Sequence, residues 1–188
     1  AMPPKPVYLT SDVHLGGVPV ETEASFHRWL RHAANEAEQI VINGDLFDFW
    51  FEYRNAIPRG HTRTLGLLAD VVDAGVPITV FGGNHDWWGG TYLEDEVGVR
   101  FCKSEERLTL AGRLALVAHG DGVGKGDIGY RVLSRVLRNP ISIGAFRWVH
   151  PDLAAWAATR VSRTKKRGSS DKGPIESRVQ AVREWAHE

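Results

Sequence analysis

Only one cysteine, Cys102, occurs in the 188 residues, so no internal disulfide can form and the chain suits a reducing compartment. No apolar run approaches the ~20 residues of a membrane-spanning helix, and none has the flanks of a secretory leader. Ala1 ahead of Met2 reads as a vector scar. Charge of one sign is also missing: 23 basic residues balance 23 acidic ones, which argues against general nucleic-acid binding. The balance is uneven locally, because Arg160, Arg163, Lys165, Lys166 and Arg167 lie within eight residues that contain no acid. What is present is an ordinary hydrophobic share of 43%, on a length that supports one sizeable core and so predicts a single domain over 1–188.

Short β-branched runs alternate with helical patterns. Val7 to Thr10, Ile40 to Ile42 and Ile78 to Phe81 read as buried strands. Phe26, Trp29, Leu30, Ala33 and Ala37 recur at helical spacing between the first two. Leu65, Leu68, Ala69 and Val72 do so between the second and third, and Gly75 with Pro77 stops that helix. The order strand, helix, strand, helix, strand predicts an α/β fold with parallel pairing through crossover helices. Arg107–Leu110 and Leu114–Ala118 flank Ala111-Gly112-Arg113 and read as a hairpin. A helical stretch from Ile128 to Val161 follows, punctuated by Asn139-Pro140 and His150-Pro151. Residues 168–171 read as a loop, and Pro174 opens a last helix. The segment of about 122–172 is therefore expected to be a helical insertion.

Polar residues follow the strands directly. Asp12 and His14 follow the first, Gly44-Asp45-Leu46-Phe47-Asp48 the second, Gly83-Asn84-His85-Asp86 the third, and His119-Gly120-Asp121 the run Leu114–Ala118. Ligands of open α/β sheets collect outside the carboxyl ends of the strands, so Asp12, His14, Asp45, Asn84 and His119 are expected to meet in space. Two carboxylates, an amide oxygen and two imidazoles suit manganese, iron or zinc better than calcium or a thiolate-bound metal. Gly44, Gly83 and Gly120 are expected where the chain must adopt angles that other residues avoid. Each motif alone has a plainer explanation: a chance Asp-x-His, a helix N-cap at Asp45 or Asp48, a turn at Asn84, a hydrogen-bonded core histidine at His119. It is their joint occurrence, in order and each after a strand-like run, that points to a site.

In this order, Asp12-Val-His14, Gly44-Asp45-Leu-Phe-Asp48, Gly83-Asn84-His85-Asp86 and His119-Gly-Asp121 resemble the successive blocks of the calcineurin-like metallophosphoesterases. The resemblance implies an αββα sandwich with a helical insertion and two divalent ions, most often Mn2+. Asp12 and His14 would hold one ion, Asn84 and His119 the other, with Asp45 between them. His85 would face the leaving group or the phosphoryl oxygens. Asp48 and Asp86 would be supporting or capping residues, and Asp86 would be able to orient His85. Two features depart from the pattern. Well-known members of the similar branch have arginine at the position of His85, and the late Gly-His-x-His is absent, since only His150 and His187 follow His119. The second departure implies a chain whose C-terminal part is missing, with roughly three protein ligands left per ion.

The stretches Gly44–Tyr53, His119–Tyr130 and the Arg/Lys/Ser-rich segment after Trp156 resemble the branch acting on UDP-2,3-diacylglucosamine in lipid A biosynthesis. That resemblance implies a UDP-lipid substrate, a cytoplasmic location and transient contact with the inner membrane surface. Arg160, Arg163, Lys165 and Lys166 become candidate diphosphate contacts, with a solvated basic face as the alternative. Tyr130 becomes a candidate substrate contact, with a packed helix residue as its alternative. Ile143, Phe146, Val149, Leu153, Trp156, Ala157 and Val161, with Arg147 alongside, suit an acyl-binding lid or an ordinary packed helix pair. Of the seven tryptophans, Trp87 and Trp88 are expected at the pocket and the others in the core. The competing readings are a phosphoesterase for a soluble nucleotide or phosphodiester, and an inactive scaffold on the same fold.

Overall fold

Along β2 (Gln39–Asn43), Ile40 and Ile42 fall on one face and Val41 on the other, and all three are fully buried. A strand covered on both faces belongs inside a parallel sheet. β1 (Val7–Thr10), β2, β3 (Ile78–Phe81) and β4 (Arg100–Cys102) form that sheet in the order β1-β2-β3-β4, with every neighbouring pair parallel. The computed structural model describes residues 5–121, 128–154 and 156–157. The chain divides into two compact units, Ala1–His119 and Gly120–Glu188.

In the first unit, α1 (Val20–Glu36) and α2 (Thr62–Asp73) are the crossovers. α1 buries Phe26, Leu30 and Ala33, and α2 buries Leu65, Leu68 and Val71, at the spacing of one helical face. These side chains meet Ile40, Ile42, Ile78 and Val80 in the larger core. The alternate residues Val41 and Phe81, with Cys102, form a smaller core on the opposite face with Leu108 and Val117. Those last two come from β5 (Glu106–Leu110) and β6 (Arg113–Val117), an antiparallel hairpin. The hairpin forms a two-stranded sheet of its own and does not extend the parallel one. The described layers are thus helices, parallel sheet and second sheet. β4 and the five-residue α3 (Thr91–Asp95) are elements the sequence pattern did not reveal.

The second unit holds α4 (Ile128–Arg138) and α5 (Pro140–Phe146). Asn139 breaks the two helices and caps α5: its side chain accepts a hydrogen bond from the Ile141 amide, and Pro140 opens the helix. Trp148 and Trp156 are exposed, which corrects their expected place in the core. Both lie in a unit rich in exposed apolar side chains, including Val132, Leu133, Val136, Ile141 and Leu153. The side chain of Tyr130, together with Arg160, Arg163, Lys165, Lys166, the loop at 168–171 and the helix expected from Pro174, lies outside the described residues. Among the described residues, no helix is long and apolar enough to cross a membrane.

Candidate metal centre

Asp12, His14 and Asp45 carry positive φ angles of 53°, 51° and 52°, three of the four such non-glycine residues among those described. A side chain in that region costs on the order of 1–3 kcal/mol, so the surroundings must enforce it. Here the enforcement is a ladder that continues the sheet past its strand ends. The Asp12 amide donates to the Gly44 carbonyl at 3.0 Å, His14 to Asp45 at 2.9 Å and Leu15 to Leu46 at 2.9 Å. The Trp50 amide donates to the His85 carbonyl at 3.1 Å, and the His85 amide to Asp45 Oδ1 at 2.9 Å. The exits of β1, β2 and β3 are therefore laced together, and the side chains that follow them converge.

Asp12, Asp45 and His119 place ligand-type atoms within 4.8 Å of one another, and His14, Asp48 and His85 do the same. Asp45 Oδ2 joins the two groups, lying 3.8 Å from His14 Nε2 and 3.5 Å from His119 Nε2. His119 Nδ1 sits 2.8 Å from the Asn43 carbonyl, and His85 Nδ1 sits 2.7 Å from that of Asp48. A carbonyl oxygen only accepts, so both Nδ1 atoms carry protons and both Nε2 atoms are left for the site. Asn43 also donates from Nδ2 to the Ala118 carbonyl at 2.9 Å, which ties β2 to the end of β6 and delivers His119 from the second sheet. Asn84 is half-buried between Gly83 and His85, both of which touch Asp45.

Close approach explains two glycines. A Cβ at Gly44, where φ is +82°, would stand 2.2 Å from His119 Nδ1, and one at Gly83 would stand 2.1 Å from Asp45 Oδ1. Gly44 and Gly120 have the positive φ expected of them. Gly83 does not, and its reason is steric: the Asp45 carboxylate occupies the place of its side chain.

Burial by itself would raise the Asp45 pKa. The His119 hydrogen bond, then the His85 amide and the charge of His119, outweigh burial and hold it below the ordinary carboxylate range. For His119 burial acts downward, but the Asp45 hydrogen bond, the Asn43 carbonyl and the charges of Asp45 and Asp12 lift it to about 9. The imidazolium proton stands in for positive charge that this pocket is built to receive. His14 Nδ1 is buried with no hydrogen-bond partner. Cys102, the one thiol, lies in the smaller core, and burial with a Glu106 hydrogen bond pushes its pKa to about 12. A pair of carboxylates, imidazole nitrogens and an amide with no available thiolate fits a divalent cation of the manganese, iron or zinc type.

Asp86 supports this arrangement from below. Its carboxylate, 1% exposed, accepts the amides of Gly83 at 2.8 Å, Phe47 at 3.1 Å and Asp45 at 3.3 Å. Burial raises its pKa to about 6, so it is ionised at neutral pH and takes all three bonds. It holds the backbone of the loop, while the His85 ring is oriented by the Asp48 carbonyl and not by Asp86. Asp86→Asn puts an NH2 against amide donors and is expected to cost about 1–3 kcal/mol, read as a lower urea midpoint at unchanged slope. Asp48, read from sequence as a supporting residue, stands 3.6 Å from His14 Nδ1 and 3.8 Å from His85 Nδ1 through its Oδ1. The Gly-Asp-x-x-Asp spacing marks Asp48 as part of the block that follows β2, and the ladder between strand exits brings it beside the two imidazoles.

Residues 5–160 match the family described as calcineurin-like phosphoesterase. The chain is 39% identical over 171 residues to a UDP-2,3-diacylglucosamine hydrolase of Porphyromonas gingivalis, covering 88% of this chain and 65% of that protein. It is 32% identical over 137 residues to one of Ectopseudomonas mendocina, covering 73% and 56%. To one of Klebsiella pneumoniae it is 34% identical over 130 residues, covering 69% and 54%. The chain thus spans less than two-thirds the length of these curated relatives. The family match takes in all four strand-end motifs that converge in the structure, and this chain belongs to the calcineurin-like phosphoesterase family.

Proposed function

We propose that this chain carries the metal centre of a hydrolase acting on UDP-2,3-diacylglucosamine, releasing UMP and 2,3-diacylglucosamine 1-phosphate. One P–O bond of the anhydride breaks, the oxygen of water joins the freed phosphorus, and the other product leaves as a phosphate. The observation that carries the reading is the meeting of Asp12, Asp45 and His119 with His14, Asp48 and His85 around a shared Asp45 Oδ2. The activity for which these relatives are named supports the substrate.

Asp12, His14, Asp45, Asn84 and His119 would hold two divalent cations, and the donor set favours manganese, with iron or zinc as alternatives. Bound there, such ions supply Lewis acidity toward water and phosphoryl oxygens. The chain's own residues do the positioning. Asp45, fixed through the His85 amide, sets where the two donor groups meet. His85, held at Nδ1 by the Asp48 carbonyl, directs Nε2 toward the phosphoryl group, to offset its charge or pass a proton to the leaving oxygen. In the second unit the exposed apolar residues, with Arg135 and Arg147 nearby, suit acyl chains and contact with the cytoplasmic face of the inner membrane. Tyr130, Arg160, Arg163, Lys165 and Lys166 are assigned to the substrate as proposed contacts.

Cation binding at His119 must displace its proton. Because that pKa is raised to about 9, Mn2+ affinity is expected to rise roughly tenfold per pH unit below about 9 and to level off above it. Titration calorimetry in buffers of different ionisation enthalpy reads the released proton. The function itself is tested by UMP release from UDP-2,3-diacylglucosamine beside turnover of a soluble phosphodiester, with and without Mn2+. Mn2+-dependent release of UMP is the expected result. Turnover of the soluble ester alone would replace the lipid substrate by a small nucleotide or diester, and no turnover of either would favour a scaffold role.

A further inference from the structure

We infer that Glu52 is a positioning residue for His85, acting through the loop that carries His85 and not by touching substrate. The inference rests on the reading above that His85 faces the phosphoryl group. Glu52 lies in the segment that follows β2, nine residues past Asn43, and is 8% exposed. Its Oε1 accepts the Gly90 amide at 2.9 Å, the Trp50 indole N–H at 3.2 Å and the Leu93 amide at 3.4 Å. Its Oε2 accepts the Tyr92 amide at 3.0 Å and the Thr91 hydroxyl at 3.3 Å. A carboxylate offers about four lone-pair sites, so five donors saturate it. Bonds to an ionised acceptor are also the stronger kind.

The position of these bonds gives them consequence. α3 has only five residues, and no side chain of its own caps it. A helix that short does not hold itself. A local Ser, Thr, Asn or Asp would ordinarily supply the cap. Here the cap comes instead from the segment that leaves β2 and also carries Asp48. Between Asp48 and Glu52 that segment runs beside the His85 loop. The Asp48 carbonyl holds His85 Nδ1, the Trp50 amide holds the His85 carbonyl, and Phe51 bridges Trp88. The base of the segment is stiff, since Trp50 is fully buried and stacked on Phe47 with ring centroids 4.3 Å apart. At the loop's entry Asp86 fixes Gly83 to the amides of Asp45 and Phe47. His85 therefore sits between two buried carboxylate clamps, and Glu52 is the one at the exit. Loosening it frees Gly90 and the start of α3, and lets the imidazole drift from the direction set by Asp48.

The test is Glu52→Gln, which keeps the shape, removes the charge and turns one acceptor into a donor facing N–H groups. In Mn2+-loaded protein with bis(p-nitrophenyl) phosphate, kcat is expected to fall about 10- to 100-fold, while KM and Mn2+ uptake hold. In a His85→Ala background the same substitution is expected to cost less than about twofold, because its effect runs through His85. The hydrogen-bonded Nδ1–H resonance of His85, expected in proton–nitrogen spectra of the metal-free wild type, should shift or broaden in metal-free Glu52→Gln. Should Glu52→Gln fail to fold, Thr91→Ala removes one of the five donors and should show the same pattern at smaller size. An equal kcat loss with and without His85, or an unchanged His85 resonance, overturns the inference. A wild type that turns over neither this diester nor UDP-2,3-diacylglucosamine with Mn2+ would instead reject the function proposed above, and the His85 resonance would still decide the role of Glu52.

Discussion

Asp45→Asn is expected to lower metal-dependent hydrolysis on the order of 10³-fold or more, with Mn2+ uptake reduced in parallel. Asp45 is 3% exposed and committed on both oxygens. Oδ1 accepts the His85 amide at 2.9 Å, and Oδ2 faces the Nε2 atoms of His14 and His119 at 3.8 and 3.5 Å. Asparagine has the same outline but one acceptor oxygen. If that oxygen keeps the His85 amide, an NH2 points at the two imidazoles and at any cation between them. If it turns to the imidazoles, the His85 amide loses its partner. Neither orientation restores the negative charge. The metal-free protein should report the change too, because Asp45 heads the interactions that raise the His119 pKa to about 9. Removing that carboxylate should bring the His119 titration down toward ordinary histidine values, read by its proton resonances against pH. The pair has a stability signature as well. The raised His119 contributes fully below its ordinary 6.5, and the contribution is lost as pH rises through about 9. The lowered Asp45 contributes above its ordinary 3.8, and that contribution is lost in acid. Chelated wild type should therefore lose stability between pH 6.5 and 9 relative to Asp45→Asn.

Gly83→Ala is the second substitution with a large expected effect, and it changes no functional group. The added methyl would meet Asp45 Oδ1 at 2.1 Å and the Asp45 backbone nitrogen at 2.6 Å, well inside contact distance. One of these atoms is backbone, and the other is held by the His85 amide, so neither retreats freely. The strain should lower stability by about 1–3 kcal/mol. Displacing the carboxylate by even ~1 Å should cost about 10²-fold in turnover. Gly66→Ala is the control. That glycine lies exposed within α2 with nothing within 4 Å of an added Cβ, so alanine there should raise stability by about 0.4–1 kcal/mol without touching activity. Thermal unfolding and initial rates on the same preparations separate the two.

β1, β2 and β3 were legible because their residues are apolar on both faces and bounded by turn residues. The site was legible because Asp12, Asp45, Asn84 and His119 follow strand-like runs directly. β4 was not, since Arg100–Cys102 is three residues long and opens on an arginine. α3 was hidden for a different reason: its N-terminal amides are satisfied by Glu52, some forty residues earlier, and local sequence carries no trace of such a cap. The strand-end argument brought His119 toward Asp45, but not the way it gets there: β6 belongs to the second sheet and Asn43 supplies the link. The standing of Asp48 beside two imidazoles depends on the ladder between strand exits, which no spacing rule contains. Trp148 and Trp156 show the limit of composition, because bulk and apolarity alone did not take them inside.

These strand-end side chains are expected to share two cations across Asp45. Electron paramagnetic resonance of the protein titrated with Mn2+ tests that directly. Two ions per chain should bind with a spin-coupled signal, the mark of centres only ~3.5–4 Å apart, and Asp45→Asn should abolish the coupling. Uptake of uncoupled Mn2+ alone, or a signal indifferent to Asp45, would contradict it.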